Sequence, residues 1–244
     1  MTGPNQRSRD LSLTGHLEEL RRRVLWFLAA WLAASLAIYR VTVRHFDLVL
    51  LHPMRGRADF LVYLTPYEPF FALVKLALAA GFLLALPFFL YQAWAFLESG
   101  LKPAERRPLL AFMAGFLLLF LSGAAFSYFL VLPASLRFLL GVAPAGLRPY
   151  LSFNSYLTFL IIFVLGFGLI FTLPGFIVLL ARFGVVSAAQ LSAGRKFFWV
   201  AAFLLAAVIT PTPDAFTQVL MALPLLLLYE IALFFVRLFR PAQQ

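Results

Sequence analysis

Apolar positions along this chain gather into six blocks separated by short polar segments: Val24–Tyr39, Phe70–Leu97, Leu109–Leu132, Ser155–Ala181, Phe197–Ile209 and Val219–Phe239. Blocks near ~20 residues are what a ~30 Å hydrocarbon core demands of a helix. The pattern predicts an all-α integral membrane protein with six transmembrane helices. The fifth block is the weak one. Its thirteen residues would span only about 20 Å as a helix, a length that also suits a re-entrant or interfacial segment. It is joined to the sixth by Thr210-Pro211-Thr212-Pro213-Asp214, so the two cross together or not at all, and the carboxy-terminus stays on one side either way. Pro87, Pro174 and Pro224 lie inside blocks, and Pro133 is read as closing the third. A proline removes a backbone donor and kinks its helix; three of them inside blocks predict a curved, concave bundle.

Composition agrees with the pattern, since 63% of the 244 residues are hydrophobic and 12% are charged. The chain is expected to form one membrane domain over residues 1–244: an amphipathic arm at 1–23, the bundle at 24–239 and a short tail at 240–244. Lys and Arg are unevenly divided between alternate connections. Thirteen lie in the amino-terminal arm, the second and fourth loops and the tail, against six in the first and third loops. By the positive-inside rule both termini are cytoplasmic. A cleaved secretory signal, the competing reading of the amino-terminus, is disfavoured because the apolar run continues past Ser35-Leu36-Ala37 and the preceding segment carries Glu18 and Glu19. The net charge of +10 is dispersed and has no aromatic-interleaved stripe, so it points to anionic lipid and not to nucleic acid. The absence of Cys excludes disulfides and thiolate metal sites.

The candidate chemistry is carboxylate chemistry. Glu18 and Glu19 sit at the mouth of the first span, Glu105 near the start of the third, and Glu230 inside the sixth block. Glu18 to Arg22 and Glu19 to Arg23 are spaced for pairing within one helix, and Leu13, Leu17, Leu20 and Val24 share a face, as on a surface-lying helix. Glu105 follows Pro103, and its place at a helix start is also explained by the dipole. The three His, at 16, 45 and 52, all lie outside the blocks. Neither a His-Glu-x-x-His helix nor a Gly-x-Ser-x-Gly elbow occurs, so no metal site, cofactor or catalytic constellation is expected. A small-solute secondary transporter is the alternative class, but the block lengths show no matching halves.

Five stretches carry a resemblance. HLEELRRR at 16–23, YQAWAF at 91–96, GLKPAERR at 100–107, AFSYF at 125–129 and ITPTPDAFTQ at 209–218, which runs on to LLYEIALFF, resemble TatC, the receptor subunit of the twin-arginine protein translocase. The resemblance implies a non-enzymatic receptor for the twin-arginine signal peptides of folded cargo. It further implies a prokaryotic plasma membrane, energy from the proton-motive force, self-association, and single-span partners of the TatA and TatB types. By motif position Glu19 and Glu105 are the implied signal-binding carboxylates. Trp94 and Phe96 belong to the aromatic stretch before the second loop, and His16, Leu20 and Arg21 to the amino-terminal motif, with Arg21 orienting the glutamates. Asp214 and Gln218 match the polar turn before the last span, and Glu230 matches within it. Two positions depart from the family pattern. Thr172 stands where many relatives have Glu or Gln before the proline of the fourth span, and Ser99 stands where Pro is common.

Overall fold

The structure, a computed structural model, describes residues 4–44, 52–54, 61–98, 103–142, 144, 150–210 and 214–238, with side chains from Gly15 onward except at His16, Pro103–Glu105, Arg107 and Pro108. Its helices are α1 (Pro4–Arg44), α2 (Glu68–Glu98), α3 (Pro103–Phe126), a π-helical turn at Ser127–Val131, α4 (Leu132–Gly141), α5 (Phe153–Arg182), α6 (Ala188–Ile209) and α7 (Ala215–Leu238). Six stretches are long and apolar enough to cross a membrane, with α3, the π turn and α4 forming one of them from Leu109 to Gly141. The predicted class and number of spans therefore hold. Pro87, Pro174 and Pro224 lie inside α2, α5 and α7.

Three boundaries differ from the sequence reading. The arm and the first span are a single helix of 41 residues, because nothing in HLEELRRR breaks a helix. The third span does not end at Pro133. The π turn widens the backbone just before it and Pro133 occupies the first turn of α4, where a missing N–H costs nothing. The fifth span is longer than its apolar block. Ser187 and Gln190 form a reciprocal capping box that starts α6 nine residues before Phe197, giving 22 residues, or about 33 Å. Arg195 and Lys196 consequently ride on a helix, as does Arg137, and not in loops.

The core lies around α5, which packs against α2, α3 and α7 and buries Phe163, Phe167, Leu157 and Tyr156 against Leu132, Met221 and Leu225. Close approach of α3 and α5 depends on missing side chains: a Cβ at Gly123 would lie 2.4 Å from the Phe167 carbonyl oxygen. Helix α1 stands apart, packing chiefly on α2. Only 6% of its membrane-length window is buried, against 44% for α7. At the crossing of α1 and α2 a Cβ on Gly81 would lie 2.2 Å from Ser35 Oγ, and the Trp31 indole donates to the Leu78 carbonyl at 2.8 Å. A two-residue parallel pair, β1 (Leu61–Val62) with β2 (Leu151–Ser152), joins the connection before α2 to the one before α5.

Candidate functional site

The amino-terminal half of α1 passes beside the end of α2, and one arginine joins them. Glu19 and Arg23 lie one turn apart, and the Arg23 guanidinium donates to Glu19 Oε1 from Nη2 at 2.5 Å and from Nε at 3.0 Å. The same group crosses to α2, donating from Nη1 to Gln92 Oε1 and from Nη2 to the Ala95 carbonyl, each at 3.2 Å. Ala95 is among the last four residues of α2; carbonyls there lack helical partners and carry the negative end of the helix dipole. A carboxylate, an amide oxygen and a helix-end carbonyl thus converge on one planar cation. The ion pair is partly shielded, with side-chain exposures of 22% for Arg23 and 26% for Glu19.

Around this cradle, Leu20 and Arg21 are exposed and Trp94 and Phe96 half-buried. Trp94 leans on Tyr91 with ring centroids 6.3 Å apart, and its indole N–H is buried with no hydrogen-bond acceptor among the described residues. An open groove of about 650 Å³ runs along α1 past Gly15, Glu18, Glu19, Arg21, Arg22 and Leu25. Glu98 at the end of α2 meets Arg106 near the start of α3 at 3.3 Å, so the two helix ends are tied across the second loop. Glu105 is in the first turn of α3. Its side chain, that of His16 and the Ser99–Gly100 segment lie outside the described residues.

The other predicted residues are spread over the rest of the bundle. Asp214 caps α7, accepting from Thr217 N at 2.6 Å. Gln218 donates to the Phe203 carbonyl of α6 at 3.0 Å, closing the hairpin whose turn, 211–213, lies outside the described residues. Thr172 is buried, and its hydroxyl donates to the Leu169 carbonyl of its own helix at 2.6 Å. Glu230 accepts from Arg195 of α6 at 2.6 Å, while Arg237 bonds Ser192.

Sequence reasoning missed Gln92, Arg195 and a polar cluster at the opposite end of α2. Glu68 accepts from Ser152 Oγ at 2.5 Å, Leu64 N at 2.7 Å and Asn154 N at 3.1 Å. Two turns on, Lys75 donates to Asn154 Oδ1 and Thr158 Oγ1, both at 2.9 Å. The available signal was an ionisable residue near or within a span, which requires partners. Among the described residues no group of three or more His, Cys, Asp or Glu is placed to hold a metal.

Six membrane-length helices with polar clusters concentrated near their ends define a multi-pass helical membrane protein. Its relatives narrow the class. Residues 15–224 match the family model for TatC, the Sec-independent protein translocase protein. A TatC protein of Aquifex aeolicus is 41% identical over 227 residues, covering 92% of this chain and 94% of that one. The corresponding figures for Carboxydothermus hydrogenoformans are 35% over 235 residues, with 96% of each chain covered. For Escherichia coli K12 they are 34% over 229 residues, covering 93% and 88%. A crystal structure of the twin-arginine translocase receptor TatC in DDM superposes with a TM-score of 0.77 at 42% identity, covering 90% of this chain and 98% of that one. The chain belongs to the TatC family, and is a protein-transport subunit of a Tat translocase.

Proposed function

We propose that this chain is the signal-peptide receptor of its translocase, a non-catalytic subunit forming one membrane domain. The observation that carries the reading is the cradle of Glu19, Gln92 Oε1 and Ala95 O, which already holds a guanidinium. Glu19 grips one arginine of a twin-arginine signal and Glu105 the other, flanked by His16, Leu20, Arg21, Trp94 and Phe96. A carboxylate engages the guanidinium fork bidentately, which an ammonium cannot reproduce. The solved relative named as a twin-arginine translocase receptor supports the assignment.

The surrounding reading follows from charge and family. The cationic arm and even loops lie on the cytoplasmic side of a prokaryotic plasma membrane, and both termini with them. Single-span subunits of the TatA and TatB types and further copies of this chain are the partners, and the proton-motive force drives export of folded cargo. Asp214, Gln218, Thr172 and Glu230 support the bundle through which that coupling acts.

The test is photocrosslinking of a twin-arginine signal peptide to cytoplasmic positions of the membrane-inserted chain. Glu19→Ala or Glu105→Ala is expected to remove crosslinking while insertion is unchanged. At ~1.5–3 kcal/mol per charge-assisted contact, each loss weakens capture about tenfold to a hundredfold. Undiminished crosslinking in both variants removes these residues from the site.

A further inference from the structure

The Arg23 guanidinium uses four of its five N–H groups on three acceptor atoms contributed by two helices. An arginine serving only as an intrahelical partner of Glu19 needs none of the contacts to α2. Here the side chain reaches 69 and 72 residues along the sequence, to Gln92 and to Ala95. The three acceptors differ chemically, but each presents oxygen to the plane of one guanidinium. One residue before Ala95 in the sequence, Trp94 has a buried indole N–H with no acceptor among the described residues, a donor suited to a peptide carbonyl and useless to a cation. The neighbouring Arg21 and Arg22 are exposed, whereas Arg23 is seated in the cradle.

We propose that the cradle of Glu19, Gln92 and Ala95 O is the seat of one signal guanidinium, and that Arg23 is its tethered placeholder, displaced when a signal peptide arrives. This rests on the receptor reading above and adds to it two acceptors, Gln92 Oε1 and the Ala95 carbonyl, together with a mechanism of selectivity. Any incoming side chain has to outcompete an arginine held at high local concentration. A lysine, with a compact ammonium and no fork, cannot match four directed bonds, whereas a second guanidinium can exchange one for one. The internal competitor therefore raises the threshold against singly basic or lysine-bearing peptides while protecting Glu19 from the exposed arginines beside it. Apparent affinity is reduced by the fraction of time the seat is filled. A seat filled by Arg23 ten times in eleven weakens peptide binding about elevenfold.

The test uses the full-length chain in lipid nanodiscs and a fluorescent twin-arginine signal peptide, with Arg23→Lys as the principal variant. Net charge is preserved, so bulk electrostatics is constant, but the fork is lost. The expected result is tighter binding, about tenfold, together with reduced discrimination against a peptide whose arginines are replaced by lysine. Arg22→Lys, the control, is expected to do neither. Gln92→Leu in the Arg23→Lys background is expected to reverse part of the gain. Weaker or unchanged peptide binding in Arg23→Lys overturns the placeholder, as does an equal gain in Arg22→Lys. A second measurement separates this from the receptor reading. Methylguanidinium is expected to raise the melting temperature of Arg23→Ala, and to do so more than methylammonium at equal concentration. No difference between the two cations overturns the cradle itself. A preference for methylguanidinium with no peptide binding by any form keeps the cradle and refutes the receptor role.

Discussion

At Thr172 a hydroxyl is buried in the fourth span and satisfied within its own helix, by the Leu169 carbonyl. Nothing ionises there. Thr172→Val removes the donor and leaves the carbonyl its ordinary helical partner, so stability is expected to change by less than about 1 kcal/mol, with export of a folded reporter unaffected. Abolished export with an intact fold would show that the hydroxyl acts across helices. Glu68 is the opposite case, a carboxylate that accepts three hydrogen bonds from the connections before α2 and α5 and from α5 itself. Glu68→Ala is expected to lower the melting temperature of the purified chain; an unchanged transition would mean that those donors find other acceptors. The two residues also mark the limit of reading single positions. The pairing of Glu19 with Arg23 was legible because both lie on one helix at a fixed spacing. Gln92 and the Ala95 carbonyl were not, because their partner lies some seventy residues earlier. The ring of donors around Glu68 was hidden for the same reason, with Ser152 and Asn154 lying 84 and 86 residues away.

Helices were legible wherever the bilayer dictates their length, and misjudged where polarity or proline interrupts an apolar run. The first turns of α6 carry Gln190, Ser192, Arg195 and Lys196, which lower hydropathy without disturbing the backbone. The Ser187-x-x-Gln190 signature was there to mark the true start. Ser187→Ala is expected to cost about 1 kcal/mol, measured as a lower denaturation midpoint, and no shift would mean that lipid and tertiary packing hold the end without its cap. Pro133 reads as a stop in the sequence because an α-helix cannot absorb it cheaply. A π turn can, and a pattern of apolar residues does not announce one. At the crossing of α1 and α2 the controlling residue is Gly81, where a Cβ would also lie 2.7 Å from Ser35 backbone atoms. Gly81→Val is expected to part the two helices, lowering both the melting temperature and signal-peptide capture; a variant normal in both would mean that the crossing relaxes at no cost.

Across the whole molecule, six crossings place the loop before α7 at the opposite end of the bundle from the Arg23 cradle. Asp214→Asn keeps a competent helix cap, so peptide affinity is expected to stay within about twofold of the unmodified chain. A clear loss of binding would overturn the separation of the two ends. The count of spans was legible because hydrocarbon thickness sets the length of a segment. Which helices touch was not, since every apolar face in such a chain looks alike until packing selects among them. The selection left α1 beside α2 and little else, and this has a consequence for biosynthesis. The three acceptors that hold the Arg23 guanidinium among the described residues lie before residue 99, and chains emerge from the ribosome amino-terminus first. The hairpin of the first two helices can therefore pair in the bilayer, with its arginine already seated, while the remaining four are still being translated.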